Sequence, residues 1–478
     1  MSRNKLSRRL LMLSAALTLA MSQTAFAGET VELNLQEAME RAFNTNPAIN
    51  IAGYNVKSAK ATLDAARSSH LLSITAQHQS QRGGADDERL QQKYNPVSEE
   101  FEPVMTKGIG NQHSNSLTAS LPIYTGGEIR GTVRRAKANY NSVLEGKQKA
   151  YNDMRATVTN GYCDLLQAGN MQQLGRESVQ RLEDHLKNVQ AQYEVGVVAK
   201  VDVLRSQVEL SNAKQSLIQA ENAYQVAEAN LNRIVGLPMD TTLKLDNILT
   251  YSEYAEDMAY CLDYASQYRP ELEQARQGVE AAKGALMVAR SGYMPKIAAS
   301  ATQNWSDTNW PGDENGEWGV GVSVSMNVFD SGVTWSKING AKADLAVAEE
   351  TYRDTVDAVN LDVRNCYLNL REAEKRIGTT ETAVSQAEED YRIAQVRYMA
   401  GVGTNTDVLD AQVALTQAKT NYLQAMYDYN TSKTDLENAM GVPMMFPTKV
   451  TVEPQKEALA KAEAEVNNTA EAEEQAAE

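Results

Sequence analysis

The chain shows two kinds of periodicity, and the first is an alternation of apolar and polar residues. From 318 to 329 every second residue up to 328 is apolar, and the residues between them as far as Asn327 are glycine, serine or asparagine. Residues 116–123 repeat the pattern, and weaker versions lie near 71–80 and 296–305. Alternation over about ten residues is typical of a transmembrane β-strand, but also of a half-buried strand in a soluble sheet. The pattern predicts four strands and leaves their surroundings open.

The second periodicity fills the proline-free stretches between Pro122 and Pro238 and between Pro311 and Pro443. There the apolar residues step mostly by alternating threes and fours, which is the seam of a coiled coil. A helix from about 333 to 398 would be close to 100 Å long. Because such a seam needs neighbouring helices along its whole length, we predict long antiparallel coiled coils. The seam of this helix runs through Ile338, Ala341, Leu345, Ala348, Tyr352, Val356, Val359, Val363, Cys366, Leu370, Ala373 and Ile377.

The same order of elements occurs twice, which predicts an internal repeat. Residues 120–238 match residues 325–443 at an offset of 205 without a gap, whereas upstream Pro47 matches Pro270 at an offset of 223. The difference, 223 − 205 = 18 residues, is an insertion in the first copy, inside the polar stretch 81–115, which we expect to be an exposed loop. The predicted organisation is a first repeat at 28–238, a connecting segment at 239–268 and a second repeat at 269–443.

The two ends of the chain differ from the repeats. Residues 1–27 hold four basic residues, a short apolar run and a small-x-small site ending at Ala27, which predicts a secretory signal peptide. The tail at 444–478 is acidic and of low complexity, and we expect it to be disordered or loosely helical. No later apolar run is long enough for a membrane-spanning helix.

Charge and candidate chemistry argue against several functions. The net charge of −16 becomes −16 − 4 = −20 without the basic residues of the signal peptide, so nucleic acid is not expected as a partner. The cysteines Cys163, Cys261 and Cys366 lack metal-ligand spacing, and whether they pair is left open. The histidines are dispersed. No enzyme activity, cofactor or metal site is predicted.

Four strands cannot close a membrane barrel, because small barrels need about eight or more strands and open sheet edges cannot face lipid. If the strands enter a membrane, several chains must pool them. Two chains would supply eight strands, three would supply twelve and four would supply sixteen. The pattern does not choose among these numbers.

A phrase that occurs twice, QYEVGVVAKVDVLRSQ at 192–207 and RYMAGVGTNTDVLDAQ at 397–412, adds to the duplicated unit. Together with the Gly-x-Pro ends of both copies and the signal peptide, it resembles the TolC family of outer-membrane efflux proteins, from about Leu33 to Pro443. The resemblance implies an α+β membrane protein, in which four transmembrane strands per chain form a trimeric 12-stranded β-barrel on an α-helical barrel.

The resemblance also implies where the protein works and with what partners. It implies a homotrimer surrounded by outer-membrane lipid, with a long periplasmic helical portion. Such a channel docks to a periplasmic adaptor (membrane fusion) protein and an inner-membrane transporter, in efflux pumps or type I secretion, and exports drugs, small molecules or proteins. The alternative is a non-conducting trimeric spacer that tethers the outer membrane.

The repeated phrase is predicted to be the turn at the end of each helical hairpin. Gly196 and Gly401 end one helix, because glycine tolerates the left-handed conformation of a C-cap. The resemblance implies that these two turns face the adaptor. The residues that it implies for docking are Gly196, Val197, Gly401, Val402 and Gly403.

Acidic residues follow both turns. Thr404 or Thr406 can cap the helix after the second turn, and Asp407 then lies in its first turn, where the helix dipole favours an acid. Asp202 has the same position after the first turn. For both acids, capping alone and a functional role carry equal weight.

A further acid, Asp410, occupies the position at which the first copy has Arg205. The resemblance implies that Asp407 and Asp410 point into the narrowest part of the lumen as two rings of carboxylates. Such rings attract cations, and their mutual repulsion raises the carboxylate pKa.

The resemblance further implies a closed periplasmic gate tied by bonds at the hairpin ends, with Tyr398 and Asp202 among the partners. The basic residue that the family carries near the second turn is absent, and Gly403 stands there. Arg205 is expected to supply that charge and to pair with Asp410.

Overall fold

The computed structural model describes residues 30–84, 88–95, 97, 99–107 and 110–442. The predicted signal peptide at 1–27 and the acidic tail at 444–478 lie outside the described residues. Within them, no helix is both long enough and apolar enough to cross a membrane.

Helices account for most of the described chain, and two of them are exceptionally long. The longest contain 67 residues each, close to 100 Å at about 1.5 Å per residue. In chain order the helices are α1 (Leu35–Thr45), α2 (Pro47–Ser68), α3 (Glu128–Glu194), α4 (Lys200–Val235), α5 (Met258–Tyr268), α6 (Pro270–Arg290), α7 (Val333–Met399) and α8 (Asn405–Ala439).

The strands fall into three small sheets. In chain order they are β1 (Thr30–Leu33), β2 (Ser73–Gly83), β3 (Glu88–Asn95), β4 (Glu100–Lys107), β5 (Gly110–Tyr124), β6 (Thr242–Leu245), β7 (Lys296–Asp307) and β8 (Glu317–Ser325). β1 and β6 pair in parallel, β3 pairs with β4, and the main sheet has the antiparallel order β2, β5, β7, β8. The four predicted strands are therefore neighbours in one sheet.

Element bounds in the two halves follow the offsets found in the sequence. The two 67-residue helices, α3 and α7, start 333 − 128 = 205 positions apart. The 11-residue helices α1 and α5 start 258 − 35 = 223 positions apart. The stretch 239–268, predicted to be a connecting segment, contains β6 and α5, a helix with the same length as α1.

The predicted long helix is confirmed, since α7 ends at Met399, one residue from the expected position. Every residue of its predicted seam is buried or half-buried. β8 is shorter than the stretch 318–329 predicted for it. It ends at Ser325 because its partner β7 begins at Lys296, opposite that residue.

The stretch 81–115, for which the sequence predicts an exposed loop, is largely strand. β2 and β5 extend into it from either side, and β3 and β4 form a hairpin with Glu88 opposite Lys107. Where the sequence predicts an exposed loop, the inserted residues 88–95 and 100–107 thus pair with one another as a hairpin.

The strand register separates the main sheet into an apolar face and a polar face, because directly paired residues of antiparallel strands point to the same side. One row joins Ile74, Ala119, Ala301 and Val320. The next row joins Thr75, Thr118, Thr302 and Gly319 on the opposite side. No described residue of the chain covers the apolar face, on which Ile74, Val320, Val322 and Val324 are each at least 65% exposed.

The buried core lies in the helical part of the molecule. One cluster surrounds Tyr162, which is fully buried, with its hydroxyl donating to the Leu33 carbonyl at 3.0 Å and accepting from Asp246 N at 2.8 Å. A second cluster surrounds Tyr429, and a third lies near the hairpin ends around Val408. These tyrosines anchor the connecting segment to the long helices.

All three cysteines are free. Cys163 is fully buried, and burial raises the pKa of its thiol to about 12. The question of pairing is thus answered, since each cysteine fills packed space as a small apolar residue does.

The elements lie side by side in a corresponding order in the sheet, beside the sheet and towards the hairpin ends. Beside the sheet the helices pack in the order α2, α3, α6, α7, and towards the hairpin ends in the order α4, α3, α8, α7. With the sheet order included, one edge of the chain consists of β2, α2 and α4, and the other of β8 and α7.

Two glycines permit the closest helix contact near the sheet. A Cβ at Gly131 of α3 would lie 2.7 Å from the Gly284 carbonyl oxygen of α6, and a Cβ at Gly284 would lie 2.8 Å from the Gly131 carbonyl. The two backbones therefore touch, as small residues allow.

We predict that Gly284→Ala destabilises the fold by about 1–3 kcal/mol, because the methyl group must force the two helices apart. Gly278→Ala, on the same helix with nothing within 4 Å of the new Cβ, is the matched control. It should be neutral or stabilising by about 0.5–1 kcal/mol. Thermal unfolding of the detergent-solubilised protein, followed by circular dichroism, measures both, and equal melting temperatures would contradict the contact.

Candidate gate at the hairpin ends

Both helical hairpins turn through a left-handed glycine, as predicted. Gly196 has φ of +78° and Gly401 has φ of +75°. Val197 N donates to the Gln192 carbonyl at 2.9 Å, and Val402 N donates to the Arg397 carbonyl at 3.0 Å. These six-residue closures are Schellman motifs, which satisfy the last carbonyls of α3 and α7.

The second turn is followed by a complete capping box. Thr404 accepts from Asp407 N at 3.1 Å, and the Asp407 carboxylate accepts from Thr404 N at 2.9 Å. Of the two threonines that could cap α8, the structure thus uses Thr404. At the start of α4, Ala199 has no side chain to cap with, and Asp202 lies in the first turn.

The capping box fixes the electrostatic state of Asp407 within one chain. Hydrogen bonds from Thr404, followed by the charge of Arg397, hold the pKa of Asp407 below its usual range. This direction is opposite to the rise expected from a ring of like charges, because one chain contributes one carboxylate to each ring. Asp410 lies one turn further along α8, exposed on the side of Asp407, while Val408 and Leu409 are buried.

The expected pairing of Arg205 with Asp410 is not formed within one chain. Arg205 instead donates from Nη1 to Thr406 Oγ1 at 2.9 Å, which links α4 to the first turn of α8. The basic residue near Asp407 is Arg397, in the last turn of α7.

Tyr398 and Asp202 lie close together without a hydrogen bond between their side chains. Tyr398 is 9% exposed, and its buried hydroxyl has no hydrogen-bond partner among the residues that the structure describes. Burial, and then the charge of Asp202, raises the pKa of Tyr398.

Asn405 makes several further bonds between the two hairpins. Its amide nitrogen donates to the Asp202 carbonyl at 3.1 Å, and its Oδ1 lies 2.7 Å from His185 Nε2 and 3.3 Å from Ser206 Oγ. The His185 ring also contacts Tyr398, with ring centroids 5.5 Å apart. Side chains from α3, α4, α7 and α8 thus meet in one polar cluster.

The cluster is buried and therefore has a defined proton arrangement. His185, Ser206 and Asn405 are at most 7% exposed. Because the Asn405 nitrogen is committed to the Asp202 carbonyl, its oxygen faces His185, and Nε2 of the imidazole carries the hydrogen. Burial lowers the pKa of His185, so the ring is neutral in this arrangement.

Sequence reasoning missed Arg397, His185, Asn405 and Ser206. The signal for the last three lies in the predicted repeat, because the residues 205 positions away are Asp390, Lys200 and Ala411. A comparison of the two halves, position by position, would have pointed to the cluster, because the residue types there differ.

The turns present apolar residues to solvent. Val195, Val197, Met399 and Val402 are each at least 69% exposed. Gly403 is tightly placed, since an added Cβ would lie 3.1 Å from Tyr398 N. Among the described residues, no group of three or more metal-ligating side chains is arranged to hold a metal ion.

Comparison with known proteins identifies the family. The family model described as "Outer membrane efflux protein" matches residues 38–237 and 261–442. The chain belongs to this family of transport proteins.

Relatives and solved structures agree with this assignment. The probable efflux pump outer membrane protein TtgC of Pseudomonas putida is 22% identical over 416 residues, covering 85% of this chain and 82% of that protein. Outer membrane protein TolC of Escherichia coli is 24% identical over 307 residues, covering 60% and 62%. The CmeC outer membrane channel of Campylobacter jejuni has a similar fold, with a TM-score of 0.74 at 16% identity over 88% of this chain and 89% of that one.

The family assignment confirms the resemblance stated from the sequence. The protein is an outer-membrane efflux channel, as predicted in preference to a non-conducting spacer.

We predict that acid loosens the contact between the two hairpins. The lowered pKa of His185 means that the contact is fully stable above the ordinary histidine pKa of 6.5, weakens as the pH falls below that value, and is lost as the pH falls through the lowered pKa of the folded state. Hydrogen exchange of residues 405–409, corrected for intrinsic rates, should increase at about pH 5 relative to about pH 7.5. The increase should vanish in His185→Gln and persist in His113→Gln, a histidine of β5. An equal increase in all three proteins would place the titrating group elsewhere.

Proposed function

We propose that three copies of the chain assemble into one conduit that crosses the outer membrane as a 12-stranded barrel and continues through the periplasm as a helical barrel. The hairpin ends form its gate, and an adaptor and an inner-membrane transporter dock to complete an export pump. The observation that carries this proposal is the pair of uncovered edges, β2, α2 and α4 on one side and β8 and α7 on the other.

The two halves of the chain, which we infer to be copies of one unit, indicate how the edges meet. Within the chain β5 pairs with β7, α3 packs on α6 near the sheet, and α3 packs on α8 near the turns. The equivalent elements of the second and first halves are β8 with β2, α7 with α2, and α7 with α4. Each of these pairs takes one element from each of the two edges. If every chain makes this edge-to-edge contact with the next chain, the chains close into a ring.

Residues on the uncovered helices have the apolar character that this packing needs. Ala156 and Cys163 of α3 are buried, and their counterparts Leu361 and Leu368 on α7 are 60% and 52% exposed in one chain. Leu204 on α4 is 50% exposed, whereas its counterpart on α8, Leu409, is 6% exposed. A neighbouring chain removes these large apolar side chains from water, which stabilises the assembly.

The close glycine contact also has an equivalent between chains. The counterparts of Gly131 and Gly284 are Ser336 on α7 and Ala61 on α2, both small enough for a close helix approach. In the sheet, the pair Tyr124 and Ile297 corresponds to Phe329 and Ile74. The sequence alternation that continues past the end of β8 therefore finds its partner in β2 of the next chain.

Four strands from each of three chains make a barrel within the size range of membrane β-barrels, and closure leaves no strand edge in lipid. The uncovered apolar face fits the lipid side, and the threonine, serine and glycine face fits the lumen. Together these features favour a water-filled conduit over a solid tether.

At the other end, Asp407 and Asp410 are proposed to line the constriction as two rings of three carboxylates. Arg205, which bonds Thr406, and Arg397, whose charge helps to lower the pKa of Asp407, place positive charge at the same turn. The exposed turns with Gly196, Val197, Gly401, Val402 and Gly403 are proposed to contact the adaptor.

The proposed cargo is small organic compounds, including antibiotics. Two relatives from Pseudomonas putida, each 22% identical, are described as an antibiotic efflux pump protein and a toluene efflux pump protein. Because a conduit of this kind leaves selection to the transporter, the lumen itself is expected to discriminate mainly by charge.

We expect native mass spectrometry in detergent to show three chains. Leu368→Glu should lower the trimer fraction, because it buries a charge in the proposed contact with the next chain. Asn369→Glu adds the same charge to the neighbouring exposed position and serves as the control. A stable monomer of the unmodified protein would overturn the assembly.

The gate assignment predicts ion selectivity. Replacing both Asp407 and Asp410 by asparagine should reduce the cation preference of the channel in planar bilayers, because two rings of negative charge disappear. Asparagine at 407 still accepts the capping bond, so trimer stability should change little. Asp357→Asn, an exposed acid far from the turns on α7, is the control for net charge. Unchanged selectivity in a conducting double variant would remove these acids from the constriction.

A further inference from the structure

In a closed ring of hairpins, each hairpin contacts two others. One contact joins the two hairpins of a single chain, and the other joins hairpins of adjacent chains. The structure contains the first, in which His185 of α3 meets Asn405 of α8 at 2.7 Å. The second, between α7 and α4 of the next chain, follows from the equivalence of the two halves and rests on the trimer proposed above.

Applying the offset of 205 to the contact within the chain identifies the side chains that meet between chains. The counterpart of His185 is Asp390 on α7, and the counterpart of Asn405 is Lys200 on α4. A neutral hydrogen-bonded pair in one contact thus corresponds to a pair of opposite charges in the other. We propose that Asp390 and Lys200 of adjacent chains form the ion pair that joins neighbouring hairpins just above the turns.

Both residues are available for this contact within the single chain. Asp390 and Lys200 are exposed, and neither takes part in an ion pair among the residues that the structure describes. The two acids that precede Asp390 on α7 are already paired, Glu388 with Lys419 at 2.8 Å and Glu389 with Arg392 at 2.6 Å. Asp390 is therefore the acid of this turn that remains for a partner outside the chain.

The position of Lys200 points to the same conclusion. It is the first residue of α4, where the positive end of the helix dipole disfavours a cation. A carboxylate from the next chain would compensate for that unfavourable placement. The flexible lysine stem can also span a wider gap than the short Asn405 side chain at the equivalent place.

The two contacts differ in what opens them. The contact within a chain is buried and depends on a neutral imidazole, whereas the contact between chains is an exposed ion pair that salt screens. The turns are thus joined alternately by an acid-sensitive contact and a salt-sensitive contact around the ring.

Cysteine cross-linking tests the contact directly in the full-length protein. The double variant Lys200→Cys with Asp390→Cys should, after oxidation, run as a covalent trimer on denaturing gels, because each chain is joined to both neighbours. The two single variants control for the native thiols of Cys163, Cys261 and Cys366. Lys200→Cys with Glu389→Cys moves one thiol by one helical position, which turns it about 100° away, and should stay monomeric on the gel.

Charge reversal provides an independent measurement. Asp390→Lys should increase hydrogen exchange at residues 195–205 severalfold at low salt, because it brings two lysines together, and adding Lys200→Asp supplies the opposite charge again. The double reversal should restore protection. Native mass spectrometry separates the possible failures. Intact trimers without cross-links and without rescue would overturn the ion pair alone, whereas the absence of trimers would overturn the proposed assembly and the ion pair together.

Discussion

A helix of 67 residues carries an apolar seam close to 100 Å long, and only neighbouring helices that together span its whole length can keep that seam from water. Within the chain α3 is covered on both sides, by α6 and α8 on one and by α2 and α4 on the other. α7 is covered on one side and exposes Leu361 and Leu368 on the other. The chain therefore buries both sides of α3 by itself but leaves one side of α7 exposed. The proposed assembly follows from that imbalance.

Much of this architecture could be predicted from the sequence, because it depends on periodicity. The seam through Val363 and Leu370, the left-handed turns at Gly196 and Gly401, and the four sheet strands each have a local signal that packing does not override. The pairing of residues 88–95 with 100–107 had no such signal, because polar strands alternate weakly. The choice of Thr404 over Thr406 depends on one turn of backbone geometry, which composition does not encode.

The candidate site was harder to predict for a different reason. The acids Asp407 and Asp410 stand out in the sequence, but the polar cluster around Asn405 beside them draws its side chains from three other helices. Asn405 contacts His185, which is 220 positions earlier in the chain. Long-range contacts of this kind are set by how helices pack, so a single sequence reveals them only where the two halves of the chain disagree in residue type.

The backbone contact between Gly131 and Gly284 has a mechanical consequence for the opposite end of the molecule. It fixes α3 against α6 close to the sheet, about 63 residues before α3 ends at Glu194. From that fixed point α3 acts as a lever arm of about 95 Å, so a tilt of one degree displaces its turn by about 1.7 Å. Hydrogen bonds between side chains, which break over less than that distance, are among the contacts at the moving end. The polar cluster around Asn405 thus lies where a small rotation of α3 about the Gly131–Gly284 contact produces the largest displacement.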